Sequence, residues 1–178
     1  MQLYEYMDMP GMDLLTEHHR AYLCAKQLSS AARQSGKSRR LVEIYGCTGW
    51  DFTAAGMKAL GDWLYALGIN YRCEHLAFYT IAGEAKRDYP CPVALQSNTP
   101  ETYRELNDYF ARLSVWLSAG KEERRILLLH PVESAWSMFH QGWRNEERTQ
   151  SYDKSYVEIC RTLLADQLDF DCGESIIS

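Results

Sequence analysis

Leu41-Val42-Glu43-Ile44-Tyr45-Gly46-Cys47-Thr48-Gly49-Trp50-Asp51-Phe52-Thr53 reads as a short strand, a glycine-bracketed loop and the start of a helix. The run Leu41 to Tyr45 is apolar except for one acid, as expected of a parallel strand covered on both faces. Asp51 or Thr53 can cap the helix that follows. Its apolar residues Met57, Leu60, Trp63, Leu64 and Leu67 recur at helical spacing, and Gly68 ends it. Ile69 to Phe78 then reads as the next strand. Upstream, Tyr22 to Ser35 is a helix closed by Gly36, and Leu3 to Tyr6 a strand end. Downstream, residues 80–99 form a loop and Thr99-Pro100 opens a helix. That helix carries Tyr103, Leu106, Tyr109, Phe110, Leu113 and Leu117 on one face and stops at Gly120. Ile126 to Leu129 is a further strand, 140–151 a polar loop, and Tyr152 to Leu168 a last helix. Strands alternating with helices predict an α/β fold with parallel strands. The glycine and charge cluster at Ala119 to Glu123 is the best boundary between two units.

The 178 residues, 46% apolar and 24% charged, suit a packed core. A net charge of -5 speaks against a nucleic-acid partner. Arg39, Arg40, Arg124 and Arg125 each precede an apolar run and read as solvated residues at strand starts. No apolar stretch approaches the ~18 residues of a membrane span, and the N-terminus lacks a secretory pattern. Cysteines 24, 47, 73, 91, 160 and 172 form no CxxC pair or zinc spacing. They are expected to be reduced and mostly buried, in a cytoplasmic protein.

Glu43 is the first candidate for chemistry. A carboxylate late in a parallel strand points either into the core, where it needs a cationic partner, or into the crevice at the strand ends where α/β proteins bind ligands. Trp50 offers a flat apolar face on which a sugar's C–H face stacks, with Asp51 and Thr48 for its hydroxyls; equally, such a tryptophan can plug the core. The loop lacks the spacing of a phosphate-binding glycine motif. Alternation puts Arg72, Glu74 and Leu76 on one face of the next strand and Cys73, His75 and Ala77 on the other. His75, with Tyr79 beyond it, stands at a strand end; as a lone histidine it is more often a satisfied core residue. The run Glu84 to Tyr89, with Arg87 in it, is either a solvated loop or a cover for a site. Adjacent His18 and His19 cannot share one ion from one helix face, Ser134 lacks a nucleophile elbow, and neither a metal nor another cofactor is expected.

Three stretches, VEIYGCTGWDF from Val42, GDWLYALGINYRCEHLAFYT from Gly61 and GEAKRDYP from Gly83, resemble a group of large bacterial glycoside hydrolases, rhamnosidase-like or β-galactosidase-like. Met9-Pro10-Gly11-Met12-Asp13 and Lys26-Gln27-Leu28-Ser29-Ser30 extend the resemblance upstream. Leu128 to Trp136 and Asp169-Phe170-Asp171 resemble the start of the amidotransferase-like domain that follows the barrel in such enzymes. The resemblance implies that residues 1–119 are the last strands of a partial (β/α)8 TIM-type barrel, and 120–178 the start of a flavodoxin- or amidotransferase-like α/β unit. A whole barrel needs roughly 250 residues. The resemblance implies Glu43 as the nucleophilic carboxylate, His75 and Tyr79 lining the sugar pocket, and Trp50 and the Lys86 to Tyr89 run, with Arg87, shaping its rim.

A retaining hydrolase needs a second carboxylate about 5 Å from the first. The resemblance puts it on an earlier strand that this sequence does not contain, so the chain is expected to bind a carbohydrate without cleaving it alone. Open strand edges predict self-association, or pairing with a chain that supplies the rest of the barrel. Two other readings remain: a noncatalytic sugar-binding or assembly module, and a small doubly wound domain binding a nucleotide or another small molecule.

Overall fold

The computed structural model describes residues 2–15, 22–75, 77–87, 89, 93 and 100–174. The described chain is mixed α/β and forms two units, Gln2–Lys121 and Glu122–Ser178. His18, His19, Leu76, Asp88, Cys91 and Thr99 lie outside the described residues.

In the first unit the strands β1 (Gly11–Leu15), β2 (Leu41–Gly46) and β3 (Tyr71–Glu74) alternate with the helices α1 (Tyr22–Gln34), α2 (Ala54–Ala66) and α3 (Pro100–Ser118). The strands form one parallel sheet in the order β1-β2-β3, each beside its successor. Leu14, Val42 and Ile44 are buried with Ala25 and Leu28 of α1, Met57, Leu60 and Leu64 of α2, and Leu106 and Phe110 of α3. One core on one side of the sheet therefore collects all three helices. Local chemistry sets the boundaries. Gly36 turns the chain out of α1 at φ +67°, and Gly68 does the same after α2 at φ +98°. The Thr53 hydroxyl, not Asp51, caps α2 by accepting from the Gly56 amide at 3.1 Å.

Several expectations change. Leu3 to Tyr6 belongs to a 3-10 turn, Gln2–Tyr6, and the first strand lies further on at Gly11–Leu15. Gly11 and Asp13 weaken the local strand signal, and pairing with β2 overrides it. β3 is shorter than Ile69 to Phe78; just before its start the Asn70 side chain accepts from the Arg40 amide at 2.9 Å and donates to the Ser38 carbonyl at 2.8 Å. Residues Gly83–Arg87 form a 3-10 turn within the expected loop.

The second unit contains β4 (Ile126–Leu129), α4 (Val132–Ser137), α5 (Glu147–Ala165) and β5 (Phe170–Gly173), with β4 and β5 parallel neighbours. The last helix begins at Glu147 rather than Tyr152, since the polar residues before Tyr152 are compatible with a helix even though they supply no apolar period. Tyr156 and Cys160 of α5 pack with Phe170 and Cys172 in the core. The His130 ring meets Tyr156 edge-on at 5.1 Å, and burial holds its imidazole below the ordinary value. Arg124, expected to be solvated, is only 3% exposed. It bonds Asp171 Oδ1 at 2.8 Å, Asp169 Oδ2 at 2.9 Å and Glu122. The planar guanidinium has enough donors for all three, and it ties the start of β4 to β5 where Asp171 is itself buried. Of the five described cysteines, all free thiols, only Cys160 and Cys172 are buried, so the thiols are less buried than expected.

Two substitutions check this packing. Gly61 in α2 faces Phe110 so closely that a Cβ would stand 2.2 Å from the ring's Cζ. Alanine there gains about 1 kcal/mol of helix propensity but overpacks the core by more. Gly61→Ala should therefore lower the stability to urea by about 1–2 kcal/mol, and adding Phe110→Leu should restore part of it. Arg124→Met removes the guanidinium from beside buried Asp171, a change expected to cost the second unit about 3–5 kcal/mol. Hydrogen exchange should show the amides of Leu127 to Leu129 losing protection while those of Val42 to Ile44 keep theirs.

Candidate functional site

The side of the sheet opposite the helices carries the candidate site. Parity along the strands assigns its members. Val42 and Ile44 face the core, so Glu43 faces away; Leu14 faces the core, so Asp13 faces away. On β3, Arg72 reaches to the helix side, donating to Tyr45 Oη at 3.0 Å and to Asn107 Oδ1 of α3 at 2.7 Å, which sends Cys73 and His75 to the other side. Register then sets Asp13, Glu43 and Cys73 in one row across the three strands. Leu15, Gly46 and His75 form the next row toward the strands' carboxyl ends, the His75 amide donating to the Ile44 carbonyl at 2.9 Å.

Glu43 and His75 are brought together. His75 Nε2 lies 3.7 Å from Glu43 Oε1, with the histidine side chain 16% exposed and the glutamate 39%. Glu43 is thus an open-face carboxylate without a lysine or arginine ion-pair partner among the described residues. The imidazole is enclosed: the Tyr89 ring meets it edge-on at 5.8 Å, and a Cβ at Gly46 would lie 3.6 Å from its Cβ and Cγ. Its Nδ1 is buried and makes no hydrogen bond among the described residues.

The turn beyond β2 is built from unusual backbone. Tyr45 (φ 73°) and Cys47 (φ 61°) are left-handed, as is Tyr89 (φ 46°) beside His75. Such conformations cost roughly 1–3 kcal/mol each for a side-chain-bearing residue and persist only where the surroundings enforce them. Here the enforcement is visible. The left-handed step turns Tyr45 into the core, where its hydroxyl donates to the Met57 carbonyl at 3.1 Å and accepts from Arg72. Burial raises the Tyr45 phenol, as it does Tyr103, which is pushed up to about 12. The Tyr45 carbonyl accepts from Thr48 Oγ1 at 2.7 Å. The network around Arg72 also holds Glu74 at 3.2 Å and stacks the guanidinium 4.0 Å over the Phe110 ring. Arg72 and Glu74 therefore serve the core, not the site.

Trp50 is half-exposed, not a core plug, and no described hydrogen bond or ring contact joins it to Glu43. Its indole Nε1–H donates to the Lys86 carbonyl at 2.9 Å, and its ring lies 6.2 Å from Phe78. It joins the loop after β2 to the 3-10 turn after β3. Asp51 is exposed beside it, and Tyr79 is fully exposed. Arg87 pairs with Glu84 at 3.2 Å on the surface of that 3-10 turn. None of Asp51, Tyr79 and Arg87 makes a described contact with the Glu43–His75 pair. Asp13 is the residue that sequence reasoning passed over as a site member; its signal was the spacing that puts it beside Glu43, legible only once β1 is known to start at Gly11. No group of three or more His, Cys, Asp or Glu fit to hold a metal occurs among the described residues, and no helix among them is long and apolar enough to cross a membrane.

If the indole hydrogen bond holds the two loops together, Trp50→Phe, which keeps the ring but removes the donor, should loosen Gly83–Arg87. Trypsin cleavage after Lys86 and Arg87 should then be several-fold faster than in the unsubstituted chain, with cleavage after Lys58 in α2 unchanged.

No protein-family model matches the chain, and no curated protein matches it in sequence. Among solved structures, a rhamnosidase from Novosphingobium sp. PP1Y is similar, with a TM-score of 0.59 and 19% identity. The match covers 71% of this chain and 13% of the rhamnosidase chain. At that identity the likeness is one of fold: most of this chain is folded like a small part of a much longer one.

Proposed function

We propose that the uncovered face of the β1-β2-β3 sheet, with the loops at its carboxyl end, is one wall of a carbohydrate site of the glycoside-hydrolase type. The observation that carries the reading is the Glu43–His75 pair, at the carboxyl ends of parallel strands on the side that no described helix covers. Ligands of α/β proteins gather at that end. The fold likeness to part of a rhamnosidase supports the same assignment, and the sequential order β1-β2-β3 with helices on one side suits consecutive units of a (β/α)8 barrel. In this reading Glu43 is the carboxylate at the anomeric carbon. Trp50 and Asp51 stand at the rim, Tyr79 and Arg87 on the outer loop beyond it. The remaining strands of such a barrel would stand against the open face, and the second unit, Glu122–Ser178, would be the start of the amidotransferase-like domain.

The same reading makes the chain a binder rather than a catalyst when alone. Asp13 offers a second carboxylate in the same row as Glu43, but among the described residues it is exposed to solvent. A general acid works from a pocket that disfavours its charge, and its assistance is worth about 10²–10⁴-fold. Among the described residues, none near Asp13 supplies that pocket.

Calorimetry with L-rhamnose and release from a panel of aryl glycosides test both halves. Expected are weak binding, reduced several-fold by Glu43→Gln, and release no faster than without protein. Rhamnose binding that ignores Glu43→Gln would remove Glu43 from the site. Rapid release that disappears in both Glu43→Gln and Asp13→Asn would overturn the inactive reading and make Asp13 the missing acid.

A further inference from the structure

We infer that His75 is not a sugar contact but the positioning residue of Glu43, acting through its Nε2–H; this rests on the carbohydrate reading of the face. The imidazole has one nitrogen available for interaction. Nδ1 is sealed from solvent with no partner among the described residues, whereas Nε2 points to Glu43 Oε1 at 3.7 Å. Three contacts fix the ring in that attitude. The backbone amide of His75 is locked to Ile44 on the neighbouring strand at 2.9 Å. The Tyr89 ring meets it edge-on from the loop side. Gly46 leaves the space on β2 that a larger residue would fill; a Cβ there would already stand 3.1 Å from Leu15 Cδ2 with the imidazole 3.6 Å away.

Two considerations select the tautomer. An N–H on Nε2 turns the positive end of its dipole toward a carboxylate, a favourable electrostatic arrangement. A proton on Nδ1 instead would bury an unsatisfied donor, which proteins tolerate less readily than an unsatisfied acceptor. The separation is longer than a hydrogen bond, so the imidazole steers the carboxylate electrostatically instead of clamping it, and leaves it free to meet a ligand. Asp13 is the other charged group in the Glu43 row, on the far side from His75. With a like charge on one side and a donor on the other, Glu43 is drawn toward β3 and away from β1. The geometry thus gives the glutamate one preferred direction over an otherwise open face, which a flexible exposed side chain lacks.

The chain can be tested as it is, with two independent readouts. Long-range ¹H–¹⁵N spectra of the histidine rings, with His75 assigned by substitution, should show the proton on Nε2 at a pH where the ring is neutral. Glu43→Leu should shift the His75 ring nitrogens while leaving those of His130 and His140 in place. A proton on Nδ1, or ring nitrogens indifferent to Glu43→Leu, would overturn the inference whether or not any sugar binds. In calorimetry with L-rhamnose, His75→Phe should weaken binding roughly three- to tenfold, and His75→Gln, which keeps an N–H donor, should restore most of it. In the Glu43→Gln background His75→Phe should have less than about a twofold effect. Equal losses in both backgrounds would make His75 a direct sugar contact and sink the positioning role. Loss of binding in Glu43→Gln without any effect of His75→Phe would sink it too, while leaving the carbohydrate reading intact.

Discussion

Val42 and Ile44 project into the helices, and the period of two along a strand then leaves Glu43 no choice of side. Pairing in register passes that choice to both neighbours, so that Asp13 and Cys73 fall beside Glu43. A shift of one residue in β2 would exchange the contents of the two faces. It would bury a carboxylate beneath three helices and expose two fully buried side chains. The penalty for that exchange fixes the register, and with it the row of groups available for chemistry.

Alternation is then broken once, at Tyr45. Continued regular strand would put Tyr45 on the open face beside Glu43. A left-handed step carries it into the core instead, where Met57 and Arg72 satisfy its hydroxyl. That step ends the strand, frees the space at Gly46 that the imidazole of His75 lies against, and starts the turn that leads to Trp50. Arg72 completes the arrangement from β3. Its charge is buried with Glu74, Asn107 and the Phe110 face around it, so loss of any one partner leaves a desolvated group uncompensated. The core therefore holds the strained turn, and the turn holds the carboxyl end of the sheet open.

How much of this was legible beforehand depended on which signals were local. The helix α2 was readable because Met57, Leu60 and Leu64 keep a helical period and Thr53 and Gly68 mark its ends. β1 was not, because Gly-Met-Asp-Leu-Leu is a poor strand by composition and becomes one only by pairing with β2. β5 was likewise hidden: Asp171 interrupts its apolar run, and the Arg124 guanidinium that pairs with this buried carboxylate is 47 residues away in sequence. On the candidate face, the parity of Cys73 and His75 against Arg72 was readable from alternation. The approach of His75 to Glu43 was not, since it depends on register and on a left-handed tyrosine that no sequence pattern announces.

The composition of the open face bears on how the chain tolerates it. The run Leu41 to Tyr45 is apolar except for one acid, the pattern of a strand covered on both faces. The face as built is different. Across its three rows it holds Gly11, Leu41 and Tyr71, then Asp13, Glu43 and Cys73, then Leu15, Gly46 and His75. Two glycines, two carboxylates, a thiol and an imidazole occupy most of it, and the Tyr45 side chain, which regular alternation would add to this face, is in the core. The large apolar groups left in water are chiefly Leu15 and Tyr71, at 46% and 40% exposure. Full burial of such a side chain is worth about 1.5–3 kcal/mol, so two side chains only half uncovered forfeit about 2 kcal/mol between them. That is small against the stability of a domain. A parallel sheet usually needs cover on both faces because both are apolar; here the second face has been made polar, as in an antiparallel sheet with one side to water. The residues that make it so carry the hydrogen-bonding groups that a polar ligand would need, so the polarity that lowers the cost of leaving this face to water is the same property on which the proposed site rests.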